Sequence, residues 1–238
     1  MYILGIETAT SVISVALMDD DRLVVECLIN NPKTHSVNLM PLIKNALAGA
    51  AATPEQLTAI AVSLGPGSFT GLRIGISTAK TLAQVWGLPI VGVNTLEALA
   101  YPYTGLKGYL CPVLNARKNE VYTALYETGD NILICRLGPL ALTPLDLANK
   151  LRAIGQSIAL LGEGVLIYQH IWPEYLTGLV TYLPTIAYFP RGAAIAALGR
   201  QILQANGGVD PMQLKPYYLR PSDAEIKWFN GQLSGKKK

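Results

Sequence analysis

The chain is expected to be an α/β protein with mixed sheets and two lobes, on three observations. Short apolar runs of strand character alternate with longer runs of helical period, the order three strands, helix, strand occurs twice, and a Pro/Gly-rich joint, Tyr101-Pro102-Tyr103-Thr104-Gly105, stands between the two occurrences. The 238 residues leave room for two lobes of roughly 100 residues each. The halves repeat an order of elements without residue-level identity, which is weaker than a sequence repeat.

The first half opens with strand-like runs at Tyr2 to Ile6, Val12 to Met18 and Leu23 to Ile29, with Asp19-Asp20-Asp21 turning the second into the third. A helix is predicted around Val37 to Ala48, capped by Ser36 or Asn38, with Pro41 tolerable only in the first turn. A buried strand over Leu57 to Leu64 follows. The helix from Leu72 to Trp86 is closed by a left-handed Gly87. A strand at Pro89 to Val93 leads into a helix starting at Asn94, whose spacing to Glu97 resembles a capping box.

After the joint, strands are predicted at Tyr109 to Leu114, Val121 to Tyr126 and Ile132 to Leu137. The next helix has Thr143 as N-cap, Pro144 as its first residue and Gly155 just beyond its end. A strand at Ser157 to Leu161 follows, and a helix at Ala193 to Ala205 is placed to cross back onto the first lobe. The expected division is residues 1–104 with helix 192–206 as the first lobe, 105–191 as the second, and 207–238 as a wrapping tail.

Composition narrows the function classes. Charged residues are 15% of the chain against about 25% in average domains, so extra surface is buried, in a thick core or at a subunit interface. The net charge of +3 comes from Lys236, Lys237 and Lys238, and without them 16 basic residues face 16 acidic ones. Composition alone predicts no nucleic-acid surface. Cys27, Cys111 and Cys135 lack metal or disulfide spacing, and the N-terminus reads as a strand, so a reduced, cytoplasmic protein without a membrane segment is expected.

The run Gly65-Pro66-Gly67-Ser68-Phe69-Thr70-Gly71-Leu72-Arg73-Ile74-Gly75 places four glycines in eleven residues, between a strand and a helix. Its amides can face an anion, or its missing side chains can admit another backbone. The phosphate-loop lysine and the Rossmann glycine spacing are both absent. Gly71, Gly75, Ala79 and Ala83 make a ridge of small residues, which suits either a partner helix or the chain's own sheet. Glu7-Thr8-Ala9-Thr10-Ser11 reads either as a nucleotide-site remnant or as a polar hairpin turn.

His35 and His170 are the only histidines and share no helical turn, so no paired-histidine metal site is expected. His35 reads as a polar residue at a helix entrance and His170 as a packing residue beside Trp172. Arg117 and Lys118, at a hairpin tip, can meet phosphate or simply solvent.

Gly5-Ile6-Glu7-Thr8, the run from Gly65 to Gly75, Ala116-Arg117-Lys118-Asn119-Glu120-Val121-Tyr122 and Pro216-Tyr217-Tyr218-Leu219-Arg220 together resemble the TsaB family of bacterial tRNA threonylcarbamoyladenosine biosynthesis proteins. The resemblance implies an actin-like, sugar-kinase-like ATPase fold of two ribonuclease-H-like lobes. It implies a non-catalytic subunit that pairs with a catalytic, metal-binding paralogue, which transfers threonylcarbamoyl to tRNA adenosine next to the anticodon. A small ATPase subunit joins them, and pairing of the isolated chain with itself is left open.

The family's docking surface maps onto the two first-lobe helices, here Val37, Met40, Ile43, Lys44, Gly71, Leu72, Gly75, Ala79 and Ala83. No cofactor of its own is expected, although ATP or ADP at the subunit boundary would meet Glu7, Thr8, Thr10, Gly65 and Gly67. Where the paralogue carries its histidines this chain reads Asn94-Thr95-Leu96-Glu97-Ala98, and Asn115 stands where the family usually has aspartate. The alternative is an ATP-dependent phosphotransferase or ATPase of the same fold, with Glu7, Thr8 and Gly65 lining its cleft.

Overall fold

The computed structural model describes residues 1–31 and 35–221, and the terminal lysines lie outside them. The first lobe is built from β1 (Tyr2–Glu7), β2 (Val12–Asp19), β3 (Arg22–Asn30), α1 (His35–Gly49), β4 (Leu57–Gly65), α2 (Phe69–Trp86) and β5 (Ile90–Asn94). Its sheet has the order β3-β2-β1-β4-β5. The tight polar turns make β1, β2 and β3 antiparallel, while the helical crossovers make β1, β4 and β5 parallel.

The second lobe contains β6 (Gly108–Arg117), β7 (Glu120–Gly129), β8 (Ile132–Leu142), α4 (Pro144–Ile154), β9 (Ile158–Leu161), α5 (Glu163–Ile167), α6 (Ile171–Tyr175) and β10 (Val180–Tyr182). Its order, β10-β9-β6-β7-β8, repeats the first sheet strand for strand, again with antiparallel hairpins and parallel crossovers. The expected α/β class with two mixed sheets is therefore observed.

Two helices run between the lobes. α3 (Thr95–Ala100) contributes Leu96 and Leu99 to the second lobe's core, and α7 (Gly192–Asn206) lies across β1, β2 and β4 of the first. α7 comes unusually close, because a Cβ on Gly5 would stand 2.2 Å from the Gly192 carbonyl oxygen and one on Gly199 2.3 Å from Ala61 Cβ. The first sheet is thus sandwiched. Leu4 and Ile6 face the layer of α1 and α2, and Ile3 faces α7.

Local chemistry explains the helix ends. Asn94 accepts from the amides of Leu96 and Glu97 at 2.9 and 3.2 Å, and Thr143 accepts from Asp146 N at 3.1 Å. Gly87 and Gly155 close α2 and α4 with φ of 66° and 68°. The first helix departs from expectation. Ser36 and Asn38 lie inside α1, and Pro41 is its seventh residue, leaving the Val37 carbonyl without the amide it would normally receive.

α5, α6 and β10 carry too few residues for a periodic signal to show. The apolar segment around Trp172 divides differently from its prediction. Trp172 is fully buried, donating Nε1–H to Val165 O at 3.0 Å, whereas His170 is exposed and does not pack.

Candidate docking face and interlobe cleft

The glycine-rich turn is closed around the turn that follows β1. Ser68 N donates to Ala9 O at 2.7 Å, so an amide that would face a bound anion is already engaged. Built Cβ atoms on Gly67 and Gly71 would stand 2.4 Å from Ala9 O and 2.1 Å from Thr8 O. Gly75 continues the contact one turn later, against the Thr8 side chain. The absent side chains admit the chain's own backbone.

The ridge expected to be a docking surface is consequently turned inward. Gly71, Leu72, Gly75, Ala79 and Ala83 are buried, with Leu72, Ala79 and Ala83 packed among β1, β4 and α1 residues; Ile43 is buried in the same core. A partner helix cannot reach them. Of the predicted interface residues, Val37, Met40 and Lys44 face outward. Positions 37, 40, 41, 44 and 48 fall on one side of α1, and all are exposed.

Val37 is 70% exposed and Met40 49%, while Val85 on neighbouring α2 is 73% exposed. The remainder of the outer α2 surface is polar, with Thr70, Arg73, Ser77 and Thr81. Periodicity locates these helices and leaves the small-residue ridge open between a partner helix and the chain's own sheet; the docking assignment of its residues follows from the resemblance, and the structure turns the ridge inward.

The predicted nucleotide residues divide as well. Thr10 and Gly67 line a 360 Å³ cavity between the lobes, together with His35, Asn115, Arg117 and Glu163. Glu7, Thr8 and Gly65 are buried away from it. Gly65 has φ of +116°, and a Cβ there would stand 2.6 Å from Tyr217 O. It accommodates the C-terminal segment, whose Tyr217 N donates to Leu64 O at 2.8 Å.

Glu7 has no solvent exposure. Burial pushes its carboxyl up to about 7, against the opposing effect of the Ala9 amide, the Ser63 hydroxyl and the Thr8 amide. Ala9 N donates to its Oε1, whereas Oε2 and Thr8 Oγ1 have no hydrogen-bond partner. His35 is buried at the start of α1, donating Nε2–H to Thr10 O at 2.9 Å. Across the cleft, burial raises Glu163, partly offset by the Asn115 amide.

Next to this cavity, sequence-distant groups meet that sequence reading left separate. Phe69 and Tyr218 stack with centroids 4.8 Å apart, Arg73 lies 3.9 Å from the Phe69 centroid, and Arg73 Nε donates to Tyr218 Oη at 3.2 Å. Arg220 bridges to Glu120 of the second lobe at 3.2 Å. The motif Pro216 to Arg220 is visible in the sequence, but its docking onto residues one hundred or more positions away is not.

Among the described residues, no helix is long and apolar enough to cross a membrane.

Known proteins agree with this architecture. The family model TsaD, tRNA N6-adenosine threonylcarbamoyltransferase, matches residues 30–228. A tRNA threonylcarbamoyladenosine biosynthesis protein TsaB from Bacillus subtilis strain 168 is 32% identical over 233 residues, covering 98% of this chain and 100% of its own. YeaZ from Pseudomonas aeruginosa superposes with a TM-score of 0.75 at 25% identity, over 92% of this chain and 99% of that one. A ROK hexokinase from Thermus thermophilus, at 13% identity and a TM-score of 0.50 over 87% of this chain and 100% of its own, speaks for the fold alone. The chain has the actin-like ATPase fold and belongs to the TsaB family of tRNA threonylcarbamoyladenosine biosynthesis proteins.

Proposed function

We propose that the chain is a non-catalytic scaffold, which docks a catalytic, metal-binding paralogue through the outer side of α1 and the adjoining edge of α2. The observation that carries this is the exposed row on α1 containing Val37 and Met40, and Val85 is exposed near the C-terminal end of α2. Large apolar side chains left in water on a helical layer suit a protein interface. Lys44 and the polar outer residues of α2 supply its rim.

The scaffold holds its partner in an active arrangement, while the small ATPase and tRNA join the assembled pair. ATP or ADP at the subunit boundary belongs to the same reading, with Thr10 and Gly67 the residues of this chain that reach the cleft. The engaged Ser68 amide and the filled glycine positions weigh against an independent phosphotransferase.

Co-expression with the histidine-bearing paralogue, followed by sizing and a tRNA modification assay, tests the proposal. The pair should co-elute and modify tRNA, and Met40→Asp should abolish both. Full modification activity by this chain alone would overturn the scaffold role.

A further inference from the structure

We propose that the mouth of the interlobe cleft is an RNA-binding surface of this chain, where β6–β7, the α2 entrance and the C-terminal segment meet. The RNA is a single-stranded stretch, with its phosphates against the cations and an unstacked base against the rings. The identification of tRNA as that RNA rests on the family role proposed above. The two surfaces share only Thr70 and Arg73 at the α2 entrance, and the hairpin and C-terminal residues that the test alters lie outside the docking face.

A cavity of 300 Å³ at this mouth is lined by Arg117 and Lys118 from the hairpin and Arg220 from the C-terminal segment. Its lining contains three aromatic rings, Phe69, Tyr122 and Tyr218, and no carboxylate among the described residues. Arg73 adds a fourth cation beside it, held by Phe69 and Tyr218. Glu120 pairs with Arg220, so those two charges offset each other and the positive excess comes from Arg117, Lys118 and Arg73; Glu163 lines the adjoining cavity, which Arg117 also borders.

An overall balance of charge conceals this concentration, because the contributing residues lie in three segments far apart in sequence. The hairpin also holds its cations in an unfavoured conformation. Arg117, Lys118 and Asn119 have φ of 62°, 50° and 59°, a region that Asn enters readily and Arg and Lys do not. The Asn115 side chain fixes this tip by accepting from Arg117 N at 2.9 Å.

Cations alone would suit any polyanion, but ordered rings beside them select nucleic acid. Bases present a π-face to aromatic side chains while the backbone follows a positive groove. The Arg73, Phe69 and Tyr218 cluster is already assembled as such a platform. An acidic protein would use the cations and leave the rings without a role.

The test is binding of an unmodified tRNA transcript to the purified full chain, and to its complex with the paralogue, across a salt series. The double substitution Arg117→Glu and Lys118→Glu should weaken binding at least tenfold and reduce the log–log salt slope by about 1.5, as loss of two phosphate contacts requires. Tyr218→Ala should weaken it several-fold with the slope unchanged, and Tyr218→Phe should retain most of the affinity. Lys150→Glu, on the exposed side of α4, serves as the control for general charge.

Unchanged affinity and slope in the double variant, or an equal loss in Lys150→Glu, would overturn the proposal. So would a polyglutamate competitor that displaces tRNA equally from wild type and Tyr218→Ala. Sizing with the paralogue separates the two readings. If Met40→Asp leaves pairing intact, the scaffold face fails while RNA binding by this chain still stands.

Discussion

A Cβ on Gly75 would stand 2.1 Å from Thr8 Oγ1, so the second turn of α2 is fitted to the turn after β1. That contact reassigns Gly75 from a partner surface to the inside of its own lobe. Gly75→Ala should destabilise the protein by about 1–3 kcal/mol through overpacking. Thr8→Ala in the same chain should recover much of the loss, with a coupling on the order of 1 kcal/mol in a double-mutant cycle. Chemical denaturation of the four proteins measures this, and strict additivity would contradict the contact.

Val37→Asp and Met40→Asp should leave the melting temperature within a few degrees of wild type, since both side chains are exposed. Each should weaken pairing with the paralogue by at least tenfold, because an interface core does not accept an unpaired charge. Titration calorimetry distinguishes the two effects. A variant that binds normally would remove α1 from the interface.

Glu7 makes stability depend on pH in a defined direction. Burial raises its folded value to about 7 from 4.5, so between those values the folded chain keeps a proton that the unfolded chain has released. Its contribution is complete below the unfolded value and is lost as pH rises through the folded one, with an upper limit of about 3 kcal/mol. Denaturation from pH 5 to 8 should show this decline in wild type and a flatter profile in Glu7→Gln.

Glu26 should act with the opposite sign. Burial alone would raise it, but Arg191, Ser14 and the Ala193 amide outweigh that effect and hold it below the usual carboxylate range. The stability it contributes is present at neutral pH and is lost on acidification through that lowered value. Arg191→Met would strand a carboxylate that is only 5% exposed, although Arg191 itself is 42% exposed. A loss of about 1–3 kcal/mol is expected, below that of a fully buried pair. Adding Glu26→Gln should restore part of it, and equal losses in the single and double variants would argue against an ion-pair effect.

Much of the fold is legible in local pattern. The apolar runs ending at Asp19 and resuming at Arg22 flank an acidic turn, and Thr143-Pro144 with Gly155 bracket a helix by capping chemistry that involves only neighbours. β10, α5 and α6 were not legible because three to five residues give no period. Pro41 stands past the first turn because an exposed helix position tolerates a missing amide that a buried one would not.

By itself the sequence determined the α/β class, the doubled order of strands and the presence of a glycine-rich junction after β4. Those features depend on short-range dihedral preferences and on the period of apolar residues. Only the tertiary structure decided what the glycines admit, since Gly67, Gly71 and Gly75 meet Thr8 and Ala9 from a turn about sixty or more residues earlier. It also decided that Arg117, Phe69 and Tyr218 border one cavity. A small residue records that something comes close; which group comes close is set by long-range packing, and local pattern does not encode it.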